Sequence, residues 1–275
     1  MRFINPKTDF AFKKIFGSRE SHDILISFLN GIIYSGKPLI KALVILNPYQ
    51  APQIRGLKST YLDVKAELST GESVIIEMQV LNVEGFQKRV LYNAAKTYSD
   101  QLKSGESYTM LSPVIALTIT DFIMFDESSD PISRFVLKEK DYLYDYPEPD
   151  LELIFVELPK FKLSLDNLST LSEKWIYFLQ NAPDLESVPK SLDQVPAIQQ
   201  AFSLANFSAL TIEEQNAQVN QLFYISDQQK IRTSALQEGS IQTQKDIARR
   251  LLNMMDDQTI AQATGLSVEE VRCLR

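Results

Sequence analysis

Residues 61–80 read YLDVKAELSTGESVIIEMQV, and two runs of alternating side chains within them predict a pair of β-strands. The first run is Tyr61–Leu68 and the second is Ser73–Val80. Successive side chains of a strand point to opposite faces, so each run has one polar face and one apolar face. The polar faces carry Asp63 and Lys65 on the first strand, and Glu77 and Gln79 on the second.

The short connection between the two strands predicts a hairpin, and its length determines the register. A loop of two or four residues would set Asp63 opposite the apolar Met78 and would mix the two faces. A three-residue loop over 69–71, with Gly71 in the left-handed conformation, keeps the polar faces together. Asp63 is then predicted to lie opposite Glu77, with Cβ atoms roughly 4.5–5.5 Å apart.

Two carboxylates placed opposite each other repel, and a divalent cation between them removes that cost. Oxygen ligands of this kind suit Mg²⁺ or Mn²⁺. Gln79, on the same face, is placed to orient a water or a phosphate, and Lys65 to offset charge that develops on a phosphate oxygen. A metal at Asp63 and Glu77 predicts phosphodiester hydrolysis. The alternative, which spacing alone favours, is a solvated hairpin surface with alternating charge.

The elements around the hairpin predict an α/β core with a mixed sheet, followed by a helical C-terminal part. Helices are predicted from periodicity at 9–16, 23–34 and 84–103, and strands at 39–46, 113–120, 135–144 and 151–158. Residues 50–58 are predicted as a loop, and helices dominate from about residue 165. The predicted domains are a core at 1–165, a helical extension at 166–239 and a C-terminal helical hairpin at 240–275.

The net charge of the chain is −7, but the acidic and basic residues are unevenly distributed along it. Residues 1–110 hold 14 basic against 10 acidic side chains, and the remaining 165 residues hold 14 against 25. The N-terminal part is therefore mildly basic. We expect weak, salt-sensitive, non-specific DNA binding rather than none.

Several functional classes are excluded by residue counts. His22 is the single histidine, so neither a Ser-His-Asp triad nor a histidine-based zinc site is available. Cys273 is the single cysteine, which excludes an internal disulfide and fits a reducing cytoplasm. The N-terminal residues do not resemble a signal peptide, and no run of about 18 apolar residues predicts a membrane span. The expected location is cytoplasmic, without a membrane partner.

The region from Asn5 to Phe122 resembles the Rpn-type recombination-promoting nucleases, or putative transposases, of the PD-(D/E)XK superfamily. The residues that carry the resemblance are Thr8-Asp9-Phe10-Ala11-Phe12-Lys13-Lys14-Ile15-Phe16-Gly17, Leu62-Asp63-Val64-Lys65, Ile76-Glu77-Met78-Gln79, Lys88-Arg89, Tyr92, Tyr98-Ser99-Asp100-Gln101, Gly105, Tyr108 and Pro113-Val114-Ile115. The resemblance implies a restriction-endonuclease-like core with a mixed sheet flanked by helices.

The same resemblance implies a Mg²⁺- or Mn²⁺-dependent DNA endonuclease associated with recombination or transposase-like activity. It implies metal binding by Asp63 and Glu77. Gln79 stands where most of the superfamily has lysine, so the cationic side chain of the site is left open, with Lys65 as one substitute. The alternative function is a catalytically silent protein of the same fold, acting as a DNA-binding or regulatory module.

Five further residues carry two interpretations each. Asp9 either reaches the metal site from the first helix or caps that helix at its N-terminus. Arg89 and Tyr92, three residues apart on one helical face, either contact phosphate or hold the metal-binding strand, or else are an ordinary surface arginine and a core tyrosine. Lys13 and Lys14 either form a DNA-facing edge or are solvated helix residues.

The C-terminal sequence DDQTIAQATGLSVEEVRCLR, residues 256–275, is similar to a helix-turn-helix. Gly265 is expected at the turn, and Ser267 with Glu270 predicts a capping box for the last helix. One interpretation is a packing hairpin, or one that holds a homodimer together. The other is DNA contact, for which the helix offers Arg272 and Arg275.

Overall fold

The computed structural model describes residues 2–50 and 60–275 of the chain. The chain divides into two compact units, one that ends at Leu222 and one that runs from Phe223 to Arg275. Of the loop predicted over 50–58, Gln50 is in a short strand and the rest lies outside the described residues.

The described residues contain eight strands and nine α-helices. The strands are β1 (Leu43–Leu46), β2 (Tyr49–Gln50), β3 (Thr60–Tyr61), β4 (Val64–Leu68), β5 (Ser73–Gln79), β6 (Val114–Thr120), β7 (Ile132–Val136) and β8 (Leu151–Glu157). The helices are α1 (Asp9–Phe16), α2 (His22–Tyr34), α3 (Phe86–Ser99), α4 (Leu171–Asn181), α5 (Lys190–Asp193), α6 (Pro196–Leu204), α7 (Ile212–Leu251), α8 (Asp257–Thr264) and α9 (Val268–Arg272).

Six of these strands form one mixed sheet within the described ranges, in the order β1-β4-β5-β6-β8-β7. Strands β5, β6 and β8 run parallel, and the remaining neighbours pair antiparallel. Helix α3 connects β5 to β6, as a parallel pair requires. Every residue of β6 is buried, as expected for a central strand covered on both faces. The predicted α/β class with a mixed sheet is confirmed.

Helices cover both faces of the sheet in the first unit. Helix α3 lies on one face, where its Ala94 packs with Ile75 and Ala116 of the strands. Helices α1, α2, α4 and α6 contribute to the larger core on the other face. Trp175 of α4 is completely buried there and packs against Phe16, Phe28 and Phe178.

The predicted hairpin register is confirmed. Strands β4 and β5 pair with Glu67 opposite Ser73 and Val64 opposite Ile76. The loop spans three residues, and its Gly71 has a φ of 103°. A residue with a side chain would be strained at that angle.

The regular alternation of the first hairpin strand breaks at Asp63, which lies in a bend just before β4. Leu62 packs with Ile75 on the α3 side of the sheet, whereas Val64 packs into the core on the opposite side. The expectation that Leu62 and Val64 share a face is therefore wrong. The Asp63 carboxylate accepts a hydrogen bond from the N–H of Met78. In a longer β4–β5 ladder, that N–H would instead bond to the backbone of the neighbouring strand.

The predicted bounds of three elements are wrong. The strand predicted over 39–46 begins only at Leu43, because the Asn30 side chain binds both the N–H and the C=O of Ile40. The helix predicted over 84–103 begins at Phe86, after Gly85 with a φ of 76°, and ends at Ser99.

The strand predicted over 135–144 is instead β7, which begins earlier and ends at Val136. The Glu139 carboxylate accepts the N–H groups of Asp141 and Tyr142, and these bonds hold the following residues in a turn. No helix within residues 2–50 and 60–275 combines the length and the apolar character that crossing a bilayer demands.

The second unit contains the predicted helical pair. Gly265, with a φ of 75°, ends α8, and the capping box of Ser267 and Glu270 begins α9, as expected. A small apolar core packs this helical pair against the last turns of α7. The core is formed by Ala248, Ile260, Leu266 and Val271. Arg272 and Arg275, the two candidates for DNA contact, both pair with Asp257.

Candidate active site

Asp63 is held at the start of β4 by contacts from the strand beside it and from α1. Its Oδ2 accepts the backbone N–H of Met78 at 2.7 Å. Its Oδ1 lies 3.7 Å from Nζ of Lys13, and only 14% of the side chain is exposed. A mostly buried carboxylate is thus fixed at the edge where β4 and β5 separate.

Asp9 brings a second carboxylate to Asp63. Thr8 is the N-cap of α1, because its side chain accepts the N–H of Ala11, so the interpretation of Asp9 as the cap is wrong. Asp9 lies in the first turn, where its Oδ1 is 2.5 Å from Nζ of Lys13, and its carboxyl group is within hydrogen-bonding reach of Asp63. The structure therefore joins Asp9 to Asp63, with Lys13 beside both.

Burial of Asp63 raises the pKa of this carboxyl group from 3.8 to about 7. The Met78 N–H and Lys13 oppose the rise, and the neighbouring Asp9 carboxylate adds to it. For Lys13, partial burial alone would lower the pKa, but Asp9 and Asp63 outweigh that effect and raise it. The cluster has more negative charge than its one lysine neutralises.

Glu77 lies on β5 with a different set of neighbours. Its Oε1 is 2.5 Å from Nη2 of Arg89, and its Oε2 is 3.5 Å from Nδ2 of Asn93. The same Nη2 of Arg89 also donates to Oε1 of Gln79 at 2.7 Å. Burial raises the pKa of Glu77, and Arg89 opposes that rise. The guanidinium group therefore bridges the two polar residues of β5.

The two acids are held separately. The pairing of β4 with β5 ends at Val64 opposite Ile76, so the predicted pairing of Asp63 with Glu77 is not part of the ladder. The bend at Asp63 gives it Met78, Lys13 and Asp9 as neighbours, while Glu77 has α3 residues as its neighbours. Each acid is thus attached to a different helix, α1 or α3.

The other predicted site residues have different neighbours. Lys65 is half-buried on β4, opposite Ile75. Lys14 pairs with Glu214 of α7 at 2.6 Å. Tyr92 is 42% exposed on α3. A DNA-facing role for Lys14 and Tyr92 stays a prediction.

Carboxylate oxygens are the donors that a hard divalent cation prefers. Within the described ranges, no group of three or more histidine, cysteine, aspartate and glutamate side chains is gathered closely enough to hold an ion. Mg²⁺ is usually bound by one or two carboxylates, with waters and substrate phosphates as its other ligands. Asp63 and Glu77 are the two carboxylates predicted for this role, and Asp63 lies against a further one, Asp9, whose repulsion a cation would relieve.

Asn93 is a site residue that sequence reasoning missed. It is 2% exposed, and its Oδ1 is buried without a hydrogen-bond partner in the part of the chain that the structure describes. The available signal was its position four residues after Arg89, which places both side chains on one face of α3. Its orphaned oxygen adds a further acceptor beside Glu77.

Comparison with known proteins agrees with the fold. A family model described as a PD-(D/E)XK nuclease family transposase matches residues 6–235. The match includes both acids and the helices that hold them. No curated protein matches the chain, and no solved structure matches it.

Proposed function

The chain belongs to the PD-(D/E)XK nuclease family transposases, and on that premise we propose that it is a divalent-metal-dependent DNA endonuclease. The observation that carries the proposal is the buried carboxylate of Asp63, which lies against Asp9 at the end of the strand pair that also bears Glu77. Buried charges are normally paired or bound to metal. Lys13 alone does not neutralise this cluster.

Asp63 and Glu77 would hold Mg²⁺ or Mn²⁺. When bound, the ion lowers the pKa of a coordinated water and stabilises charge on the phosphate. Asp9 strengthens the local negative potential, and Lys13 keeps its own charge close to Asp63. Met78 N–H holds one oxygen of the Asp63 carboxylate in place, and the other oxygen faces Lys13.

The substrate in this proposal is DNA, and the cut ends would enter recombination or a transposase-like reaction. The basic excess in residues 1–110 supports contact with phosphates. A cytoplasmic location is part of the same proposal and rests on the single cysteine in the sequence.

The test is cleavage of supercoiled plasmid with Mg²⁺, with Mn²⁺ and with excess EDTA. We expect cleavage only with metal, and a loss of at least ~10²-fold in Asp63→Asn and Glu77→Gln. Glu67→Gln is the matched control, since this exposed acid lies on the same hairpin. Cleavage that survives both site substitutions would exclude the proposed site.

A second candidate, a silent DNA-binding module, is favoured by one observation. Gln79 supplies an uncharged amide where the superfamily pattern has lysine. This candidate predicts that the wild-type protein retards DNA in a gel but does not cut it with either metal.

A further inference from the structure

Arg89 lies between the two polar side chains that β5 presents to α3. Its Nη2 is 2.5 Å from Oε1 of Glu77 and 2.7 Å from Oε1 of Gln79. Alternate residues of a strand share a face, so these two acceptors lie side by side. The guanidinium group therefore brings a positive charge to this face of β5 from a neighbouring helix.

The amide of Gln79 is oriented to receive this arginine. Its Nε2 donates to the C=O of Leu81 at 2.6 Å, so its oxygen is the atom left to face Arg89. A lysine at position 79 would set an ammonium group against the guanidinium. Glutamine at 79 and arginine at 89 thus form a complementary pair.

The arginine is fixed in position without being fully covered. Its guanidinium carbon is 5.0 Å from the centre of the Phe86 ring, a stacking contact within α3. Its side chain remains 38% exposed. The Nε atom is buried without a hydrogen-bond partner among the described residues. Nη2 is held by the two acceptors on β5, while the exposed part of the side chain stays open to a ligand.

We propose that Arg89 is the residue that binds the scissile phosphate of the DNA substrate and supplies the positive charge that Gln79 does not. The proposal rests on the metal-dependent nuclease function proposed above. A planar guanidinium group offers paired donors to phosphate oxygens, and fixed donors beside developing charge are a large contribution to catalysis.

Other cations are placed less well for this role. Lys13 lies 2.5 Å from Asp9 and faces the Asp63 carboxylate, so it has two carboxylates to offset where Arg89 has one. Lys65 lies opposite Ile75, two residues before Glu77 on β5. Arg89 alone of these three contacts Glu77 in the described residues.

The test is a double-mutant cycle between Gln79→Lys and Arg89→Gln, with cleavage rate and Mn²⁺ affinity both measured. At saturating Mn²⁺ we expect Arg89→Gln to lower the rate by ~10²–10³-fold. Gln79→Lys alone should also slow cleavage, because two cations then compete for one place. The double variant restores one cation and should recover at least ~10-fold over Arg89→Gln.

Calorimetric titration with Mn²⁺ separates phosphate binding from support of the metal ligand. The proposal predicts that Arg89→Gln changes the Mn²⁺ Kd by less than about threefold. A purely structural role predicts a loss of Mn²⁺ affinity of ~10–100-fold and no rescue by Gln79→Lys. Lys88→Gln, an exposed neighbour on α3, is the matched control for lost charge. Arg89→Lys keeps the charge and is measured if Arg89→Gln unfolds.

The outcomes distinguish this inference from the function on which it rests. If Arg89→Gln and Arg89→Lys both cleave DNA at the wild-type rate, the proposed role of Arg89 is overturned and the nuclease function is not. A wild-type protein that never cuts DNA with metal overturns the nuclease function, and the role of Arg89 with it. Loss in Arg89→Gln, unchanged Mn²⁺ affinity and rescue by the double variant support the inference.

Discussion

Asp63 and Glu77 are equally buried, with side chains 14% and 15% exposed, but they have opposite kinds of neighbour. Glu77 has the guanidinium group of Arg89 at 2.5 Å. Asp63 has a second carboxylate, Asp9, and shares Lys13 with it. Burial raises the pKa of both acids, and only Glu77 has a cation of its own to oppose the rise. The Asp63 side is therefore where a bound cation relieves most repulsion.

The largest expected effect of this difference is on stability without metal. An acid whose pKa is higher in the folded state than in the unfolded state binds protons more tightly when folded. The free energy of unfolding then falls as pH rises from 3.8 to about 7. Asp63→Asn removes the charge and keeps an acceptor for Met78 N–H. We expect it to raise the free energy of unfolding at about pH 8 by ~2–4 kcal/mol.

Chemical denaturation of wild type and variant at about pH 8 and about pH 4 measures this effect. At the lower pH the gain should shrink to below ~1 kcal/mol, because Asp63 is then protonated in the folded wild type. Glu77→Gln should give a smaller gain at about pH 8, since Arg89 already offsets that charge. An equal or larger gain from Glu77→Gln would contradict the contrast between the two acids.

A somewhat smaller effect is expected from the metal itself. At 100 times its Kd, Mn²⁺ should raise the free energy of unfolding by ~2.7 kcal/mol at about pH 8. Protons compete with the ion for Asp63 below a pKa of about 7. The apparent affinity should therefore weaken ~10-fold at about pH 6. Melting curves at several Mn²⁺ concentrations and at both pH values measure the stabilisation and the change in affinity. If Mn²⁺ stabilised Asp63→Asn as much as the wild type, the ion would bind elsewhere.

The smallest effect should come from the exposed member of the acid pair. Asp9→Asn removes the carboxylate beside Asp63 but also the partner of Lys13. These contributions oppose each other, so the free energy of unfolding should change by less than ~1 kcal/mol. Mn²⁺ affinity should fall ~10-fold, as for other supporting groups. An unchanged Kd would remove Asp9 from the metal-binding region.

Local patterns predicted much of the fold. Parity of the polar faces predicted the hairpin register, and the capping residues predicted the start of α9. The bend at Asp63 could not be predicted this way, since it depends on Met78 N–H bonding to a side chain. Likewise, the strand predicted from residue 39 is shortened by Asn30, a residue of another element. In both places, a side chain makes the hydrogen bond that the backbone of a neighbouring strand would otherwise make.

The candidate site was predicted in part. Alternation along the hairpin pointed to Asp63 and Glu77, but not to the neighbours that separate their charges. The contact between Arg89 and Gln79 joins α3 to β5, and alternation along one strand does not predict how a helix packs on it.

The most direct test of the central claim is calorimetric titration of Mn²⁺ into the wild-type protein, Asp63→Asn and Glu77→Gln at about pH 8. The account predicts one saturable site in the wild type and a large loss of affinity in both variants. The absence of saturable binding in the wild type, or the same Kd in all three proteins, would contradict it.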